Sequence, residues 1–285
     1  SSSHSTLPGI TDQDAADLYV AMQLALQDVK TRFNPNFSRI GFVGLGLGGL
    51  EGAYVQVLDQ KEKKLNIDRY LLVNPLVDLV AALTEVENRA SFSLDLGDKR
   101  VEQIKTKAFN FVIDSMDKDV NDPAFFANLP SRFVLSNKEY QFLTGGLIHT
   151  NLADVILTSQ IVKDLGVLKS DVTNWSERHK EVEQLNYLDY FEKFVIPFAT
   201  DKSATDPLEY IMAHANFDAV ADSTKQSGNV FIMHNHDDFL VDQSQLNSLT
   251  EIVGASHIKI YPLGGHLGNL WYSQNQEDMI QTFKY

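Results

Sequence analysis

Residues 40–49 have the sequence IGFVGLGLGG, an apolar run followed by four glycines within six positions. The apolar run predicts a buried strand, and residues 50–58 continue with the hydrophobic spacing of a helix. A strand, a glycine-rich turn and a helix N-terminus in succession form a place where proteins hold a reacting group or a phosphate. This stretch therefore predicts the start of an α/β sheet together with the position of a functional site.

The glycine turn matches two different functional patterns. Compared with G-x-S-x-G, it is a nucleophile elbow in which Gly46 stands where serine is expected. Compared with G-x-G-x-x-G, through Gly44, Gly46 and Gly49, it is a dinucleotide-binding fingerprint. The two patterns imply different chemistry, so the rest of the chain has to decide between them.

The composition is that of a globular protein with a sizeable core. The chain has 285 residues, of which 44% are hydrophobic and 22% charged, and its net charge is -14. This charge argues against binding to the backbone of nucleic acids and against docking on anionic lipid. The absence of cysteine excludes thiolate catalysis and cysteine-type zinc sites. No apolar run approaches the ~20 residues of a membrane span, so we expect neither a nucleic-acid partner nor an integral membrane segment.

Hydrophobic periodicity places strands and helices at both ends of the chain. The predicted elements are, in order, a helix over residues 11–33, a strand over 38–43, a helix over 47–60, a strand over 69–73, a strand over 229–234, a helix over 242–253, a strand over 257–261 and a helix over 274–283. In the first helix, one face carries Leu18, Met22, Leu26 and Val29. Strand, helix and strand within roughly 35 residues predict a parallel β-α-β unit.

The middle of the chain has a different character. Helical spacing dominates residues 99–117, 136–166, 176–198 and 207–222, and no strand alternation appears between them. The predicted fold class is therefore α/β, a mostly parallel sheet flanked by helices, with a large all-helical cap insertion. The predicted core comprises residues 1–86 and 228–285, and the cap or lid comprises residues 87–227. Aromatic residues in the cap predict a helical core, with a minority lining an apolar cavity.

An acid and a histidine follow the last two predicted strands. The strand NVFIMH leads into Asp237 and Asp238, and the strand HIKIY leads into a glycine-rich loop that contains His266. Functional groups of open parallel sheets lie beyond the carboxyl ends of the strands, so we expect Asp238 and His266 to meet. A carboxylate on one imidazole nitrogen fixes the tautomer, and the other nitrogen then acts as a general base.

Elbow, acid and histidine in this order resemble the α/β-hydrolase fold superfamily of esterases and lipases. The stretches IGFVGLGLGG, RYLLVNPLVDL, HNHDDFLV and YPLGGHLGNLW are similar to a bacterial branch of hydrolases with a helical cap. The resemblance implies Asp238 as the acid, with Asp237 as the fallback, and His266 as the base. It also implies the Leu47 backbone N–H as one oxyanion donor and no cofactor. We expect a soluble bacterial protein, and the sequence leaves its compartment, cytoplasm or periplasm, open.

The departure from this family is the nucleophile, because Gly46 has no side chain to acylate. Loss of a triad serine costs on the order of 10⁶ in turnover, so the chain is expected not to form an acyl-enzyme. One interpretation is a degenerate member that binds an ester-type ligand, and the other is that Gly46 replaces the serine of an active form. A third is that Asp238 and His266 activate water directly.

Two further classes of function stay open. A nicotinamide-dependent dehydrogenase would use Gly44, Gly46 and Gly49, but the strand over 69–73 is followed by Asn74 where a ribose-binding acid is expected. A non-catalytic module would hold a small apolar or acyl ligand under the cap. No metal site is predicted, since His234 and His236 beside the aspartates lack a third strand-end ligand.

Overall fold

The computed structural model describes residues 7–116, 134–199 and 207–284. Packing divides the chain into two compact units. The first unit comprises Ser1–Ala82, Phe191–Leu270 and Asn275–Tyr285. The second unit comprises Leu83–Tyr190 and Trp271–Gln274.

The first unit contains a sheet of four parallel strands in the order β1-β2-β3-β4. The strands are β1 (Gly41–Leu45), β2 (Arg69–Val73), β3 (Val230–Asn235) and β4 (Ile258–Tyr261). The predicted fold class, a parallel sheet flanked by helices, is confirmed. The strand predicted over 38–43 begins and ends later, because Gly44 and Leu45 still pair with β2 before the chain turns.

Helices account for most of the remaining described residues. In chain order the α-helices are α1 (Thr11–Phe33), α2 (Leu47–Glu62), α3 (Leu79–Ala90), α4 (Phe92–Leu96), α5 (Asp98–Ser115), α6 (Asn137–His149), α7 (Asn151–Val162), α8 (Trp175–Val182), α9 (Tyr187–Tyr190), α10 (Ile196–Ala199), α11 (Pro207–Ala215), α12 (Ala221–Ser227), α13 (Gln243–Val253) and α14 (Ser273–Thr282). A π-helical turn covers Phe191–Val195, and a 3-10 turn covers Phe217–Val220. Among the described residues, no helix is both long enough and apolar enough to cross a lipid bilayer.

The helix α1 has the predicted bounds. Its buried residues are Thr11, Ala15 and Tyr19. On the predicted apolar face, Leu18, Met22 and Leu26 are half-buried, whereas Val29 is 37% exposed. The hydroxyl of Tyr19 donates a hydrogen bond of 2.6 Å to the carboxylate of Asp59 near the end of α2, and this contact joins α1 to α2.

Residues 191–199 and 207–227 pack within the first unit, and the predicted cap boundaries at 87 and 227 stay a prediction. The backbone carbonyl of Asn216 accepts a hydrogen bond of 2.7 Å from the hydroxyl of Tyr54 in α2. The side chain of Asn216 accepts another, of 3.0 Å, from the backbone N–H of Leu79. These contacts tie the segment to the sheet unit. The parts of the predicted cap at 117–133 and 200–206 lie outside the described residues.

The second unit has its own apolar core. A cluster of Ile104, Leu135 and Phe142 is buried where α5 and α6 meet. The helix α6 begins with a capping box, in which Ser136 and Glu139 satisfy each other's backbone N–H groups. Arg100 donates a further hydrogen bond to Glu139, and this lowers the pKa of Glu139 to about 2.

Candidate active site

All four strands of the sheet end at the same edge, and each is followed by a residue of the candidate site. Gly46 follows β1 directly, and Asn74 follows β2. Asp238 lies three residues after β3, and His266 lies in the loop after β4. Because the strands are parallel, these four residues come together beyond their carboxyl ends.

Gly46 forms the sharp turn between β1 and α2. Its φ of 56° and ψ of -117° lie where L side chains are strained and glycine is not. Its N–H donates a hydrogen bond of 2.9 Å to the carbonyl of Val73, and its own carbonyl accepts one of 2.9 Å from Gly49. The next residue, Leu47, begins α2, so its N–H is one of the first helical N–H groups that have no acceptor within the helix.

The turn also needs glycine at position 44. A Cβ atom built there would lie 2.1 Å from the carbonyl oxygen of Gly48, which is inside any allowed contact. Gly44 therefore lets the end of β1 and the first turn of α2 approach each other closely. This close packing explains why residue 44 is glycine, without the need for a bound ligand at the turn.

Asp238 and His266 form a hydrogen-bonded pair. Nδ1 of His266 lies 2.9 Å from Oδ2 of Asp238, whose side chain is fully buried. Burial raises the pKa of Asp238, but the hydrogen bond and charge of His266 lower it by more, so the net pKa is below the usual value. Since a carboxylate only accepts, Nδ1 carries the proton, and Nε2 of the neutral ring is left as the basic nitrogen.

The imidazole of His266 is directed at the turn around Gly46. A Cβ atom built on Gly46 would lie 2.9 Å from Nε2 of His266 and 3.5 Å from Cδ1 of Leu267. The basic nitrogen is thus next to the point where a side chain at position 46 would begin. Phe239 supports the ring edge-on, with a centroid distance of 6.3 Å.

The neighbouring Asp237 has a different contact. Its Oδ1 accepts a hydrogen bond of 2.8 Å from the backbone N–H of Gly265, in the loop that carries His266. The carboxylate in contact with the imidazole is that of Asp238. Asp237 therefore braces the histidine loop, and Asp238 holds the histidine itself.

Three buried asparagines lie behind this pair, and the sequence did not indicate that they belong to the site. Nδ2 of Asn74 donates a hydrogen bond of 2.7 Å to Oδ2 of Asp238. Nδ2 of Asn235 donates to the carbonyl of Gly265 at 2.8 Å and to Oδ1 of Asn269 at 3.0 Å. Nδ2 of Asn269 returns a hydrogen bond of 2.6 Å to Oδ1 of Asn235. The network fixes the acid and the histidine loop to the ends of β2 and β3.

We expect Asn74→Leu to lower the free energy of unfolding by about 1–3 kcal/mol more than Asn66→Leu does. Both asparagines have a left-handed backbone, with φ values of 47° and 53°, so both substitutions carry the same backbone strain of about 1 kcal/mol. Only Asn74 donates to a buried carboxylate, whereas Asn66 bonds the exposed carbonyl of Lys63. Urea denaturation measures the free energy of unfolding of both variants. Equal losses of stability would mean that the hydrogen bond from Asn74 to Asp238 does not stabilise the fold.

The remaining histidine near the site is His234, in β3. It is fully buried, and its Nε2 lies 4.0 Å from Oδ2 of Asp238. Burial lowers the pKa of His234, so the ring is neutral near neutral pH. His236 is exposed. Among the described residues, no group of three histidine, aspartate or glutamate side chains is placed to hold a metal ion.

The geometry does not favour a dinucleotide site at the glycine turn. Such sites lie where the order of strands in a parallel sheet reverses, and the described strands follow one another in sequence without a reversal. Asn74 occupies the end of β2, and its amide is engaged with Asp238. The glycine turn thus faces a carboxylate–imidazole pair rather than a ribose-binding acid.

No protein-family model matches the chain, and no curated protein matches it. Solved structures similar to it include the rice cell wall degrading esterase LipA from Xanthomonas oryzae, at 12% identity and a TM-score of 0.40. That alignment covers 98% of this chain and 64% of the esterase, so the chain spans less than two thirds of that protein's length. Also similar are epoxide hydrolases of the alpha/beta hydrolases superfamily from metagenomes of hot environments, at 14% identity, a TM-score of 0.38, and coverage of 100% and 77%. At such identities the assignment of the site rests on the geometry of the chain itself.

Proposed function

We propose that this chain carries the active-site framework of a serine ester or lipid hydrolase of the α/β-hydrolase fold, with glycine at the nucleophile position. The observation that carries the proposal is the position of Nε2 of His266, 2.9 Å from a Cβ atom built on Gly46. Because this is shorter than a normal contact of a Cβ atom, the end of the imidazole must shift slightly to accept a hydrogen bond from a hydroxyl at position 46. An imidazole that is held by a carboxylate and directed at a strand-to-helix turn is the arrangement that activates a hydroxyl nucleophile. The proposed ligand is a small apolar or acyl ester.

Each group has a defined role when position 46 is serine. His266 takes the proton of the hydroxyl as it attacks the ester carbonyl, and Asp238 stabilises the imidazolium that forms. The backbone N–H of Leu47 donates to the developing oxyanion. His266 then gives the proton to the leaving alcohol, and water hydrolyses the acyl-enzyme by the same route.

With Gly46 the first of these steps is missing. No side chain at this position can be acylated, so the chain as it stands binds an ester without forming an acyl-enzyme. Binding and the oxyanion donor alone retain about 10³–10⁴ over the uncatalysed reaction in enzymes that lose a triad residue.

The proposal is tested by Gly46→Ser, assayed on p-nitrophenyl butyrate and p-nitrophenyl octanoate. A triad serine is worth on the order of 10⁶ in turnover, and one oxyanion donor about 10²–10³. Among the described residues we assign one such donor, the N–H of Leu47. We therefore expect a gain of about 10³-fold over the parent chain. Serine at this φ also adds about 1–3 kcal/mol of backbone strain, so stability falls while activity rises.

Gly48→Ser is the matched control. A Cβ atom at Gly48 meets no other atom within 4 Å, so the substitution is tolerated two residues further along the same turn. Gly48→Ser is expected to hydrolyse the esters at the parent rate. A folded Gly46→Ser variant without any gain would contradict the proposal.

A further inference from the structure

The second unit contains a cavity of about 640 Å³ between α3, α4, α5 and α6. Most of its wall is apolar and includes Leu94, Val101, Phe142 and Leu147. Its volume lies within the range of about 300–1,000 Å³ that is typical of sites for small molecules. The cavity therefore has room for a ligand with a sizeable apolar part.

One side of the cavity carries a fixed histidine. Nδ1 of His149 donates a hydrogen bond of 3.0 Å to Oε1 of Glu87, and the backbone N–H of Tyr187 donates one of 2.8 Å to the same oxygen. The hydrogen bond with Glu87 raises the pKa of His149 above its usual value. Because Nδ1 of His149 is already hydrogen-bonded to Glu87, the N–H at Nε2 is the donor that the protonated ring can offer to a ligand.

The charges around the cavity do not cancel. Its charged lining consists of Glu87, His149 and Lys105. When His149 is protonated it neutralises Glu87, and Lys105 has no ion-pair partner among the described residues. In that protonation state the wall carries one excess positive charge. An apolar cavity with an excess cation and a charged N–H donor matches an amphipathic anion.

We propose that the second unit binds an amphipathic monocarboxylate in this cavity. The apolar chain lies against Leu94, Val101, Phe142 and Leu147, and the carboxylate accepts hydrogen bonds from Nε2–H of His149 and from the ammonium group of Lys105. All residues that line this cavity belong to the second unit, whereas the residues of the proposed hydrolase site belong to the first. The occupancy of the cavity is therefore expected to be the same with glycine or serine at position 46.

Isothermal titration calorimetry with octanoate tests the proposal on the full chain. We expect saturable binding, and about tenfold weaker binding of 1-octanol, which has the same chain but no charge. His149→Gln and Lys105→Gln are each expected to weaken octanoate about tenfold and to change octanol little. Leu147→Trp places a larger side chain in the wall of the cavity and is expected to weaken the binding of both compounds.

His179→Gln is the matched control. His179 also pairs with a glutamate, Nδ1 lying 3.3 Å from Oε1 of Glu183, but this pair is exposed and lies outside the cavity. Octanoate binding is expected to be unchanged by this substitution. The absence of saturable octanoate binding, equal affinity for octanol, or equal effects of Lys105→Gln and His179→Gln would each overturn the proposal. Because Lys105 is exposed, Lys105→Gln keeps the test valid if His149→Gln does not fold.

Discussion

Removal of His266 from the Gly46→Ser variant is expected to return ester hydrolysis to the rate of the parent chain, a loss of about 10³-fold. The reason is geometric, because Nε2 of His266 is the basic nitrogen next to position 46. Without that nitrogen the serine hydroxyl keeps its proton and is a weak nucleophile. Initial rates of p-nitrophenyl butyrate hydrolysis by Gly46→Ser and by Gly46→Ser/His266→Ala measure the effect.

The two neighbouring aspartates provide the control for this experiment. In the Gly46→Ser background, Asp238→Asn is expected to lower turnover by about 10²-fold, since the acid of a triad contributes less than the base. Asp237→Asn is expected to have a much smaller effect, because Asp237 contacts only the backbone of the histidine loop in this region. A larger loss from Asp237→Asn than from Asp238→Asn would mean that the fallback acid, Asp237, has the role proposed for Asp238.

Asp59→Ala is expected to lower the free energy of unfolding by about 3–5 kcal/mol, the largest stability effect that we predict. Oδ1 of Asp59 accepts hydrogen bonds from the hydroxyl of Tyr19 at 2.6 Å and from the N–H of Leu65 at 2.9 Å. Oδ2 accepts one of 2.7 Å from the N–H of Ile67. Alanine leaves these buried donors without an acceptor. Urea denaturation at neutral pH measures the loss.

The contribution of Asp59 to the free energy of unfolding also depends on pH. Burial raises its carboxyl pKa, but the hydrogen bonds from Tyr19 and Ile67 lower it by more, so the folded pKa lies below the usual 3.8. A lowered pKa means that the stabilisation is complete above 3.8 and is lost as the pH falls below it. The difference between parent and Asp59→Ala is therefore expected to shrink in acid. Asp28→Ala, at an exposed ion pair, is expected to cost under about 1 kcal/mol at any pH, and a similar value for Asp59→Ala would contradict this account.

The sequence predicted the parts of the fold that depend on local patterns. The glycine turn after residues 40–43 predicted the transition from β1 to α2, and the run RYLLV predicted β2 with the bounds that the structure has. Asp238 and His266 were predicted to meet because each follows a strand, and they lie in hydrogen-bond contact. Their catalytic roles remain predictions.

The asparagine network depends on which strands are neighbours, and this is why the sequence did not reveal it. Asn74 was interpreted as the end of a strand, but its partner Asp238 is 164 residues away along the chain. An asparagine at the end of both β2 and β3 was the available signal. The contact between Tyr54 and Asn216 spans 162 residues of the sequence, so hydrophobic spacing alone gives no sign of it.

The central claim is that position 46 is the nucleophile position of a hydrolase site. Reaction with a fluorophosphonate probe tests this claim most directly. Intact mass and peptide mapping would be measured for the parent chain, Gly46→Ser and Gly48→Ser. We predict one adduct, at residue 46 of Gly46→Ser, which disappears when His266 is replaced by alanine, and no adduct on the parent or on Gly48→Ser. A folded Gly46→Ser protein that stays unlabelled, or that is labelled no faster than Gly48→Ser, would contradict the account.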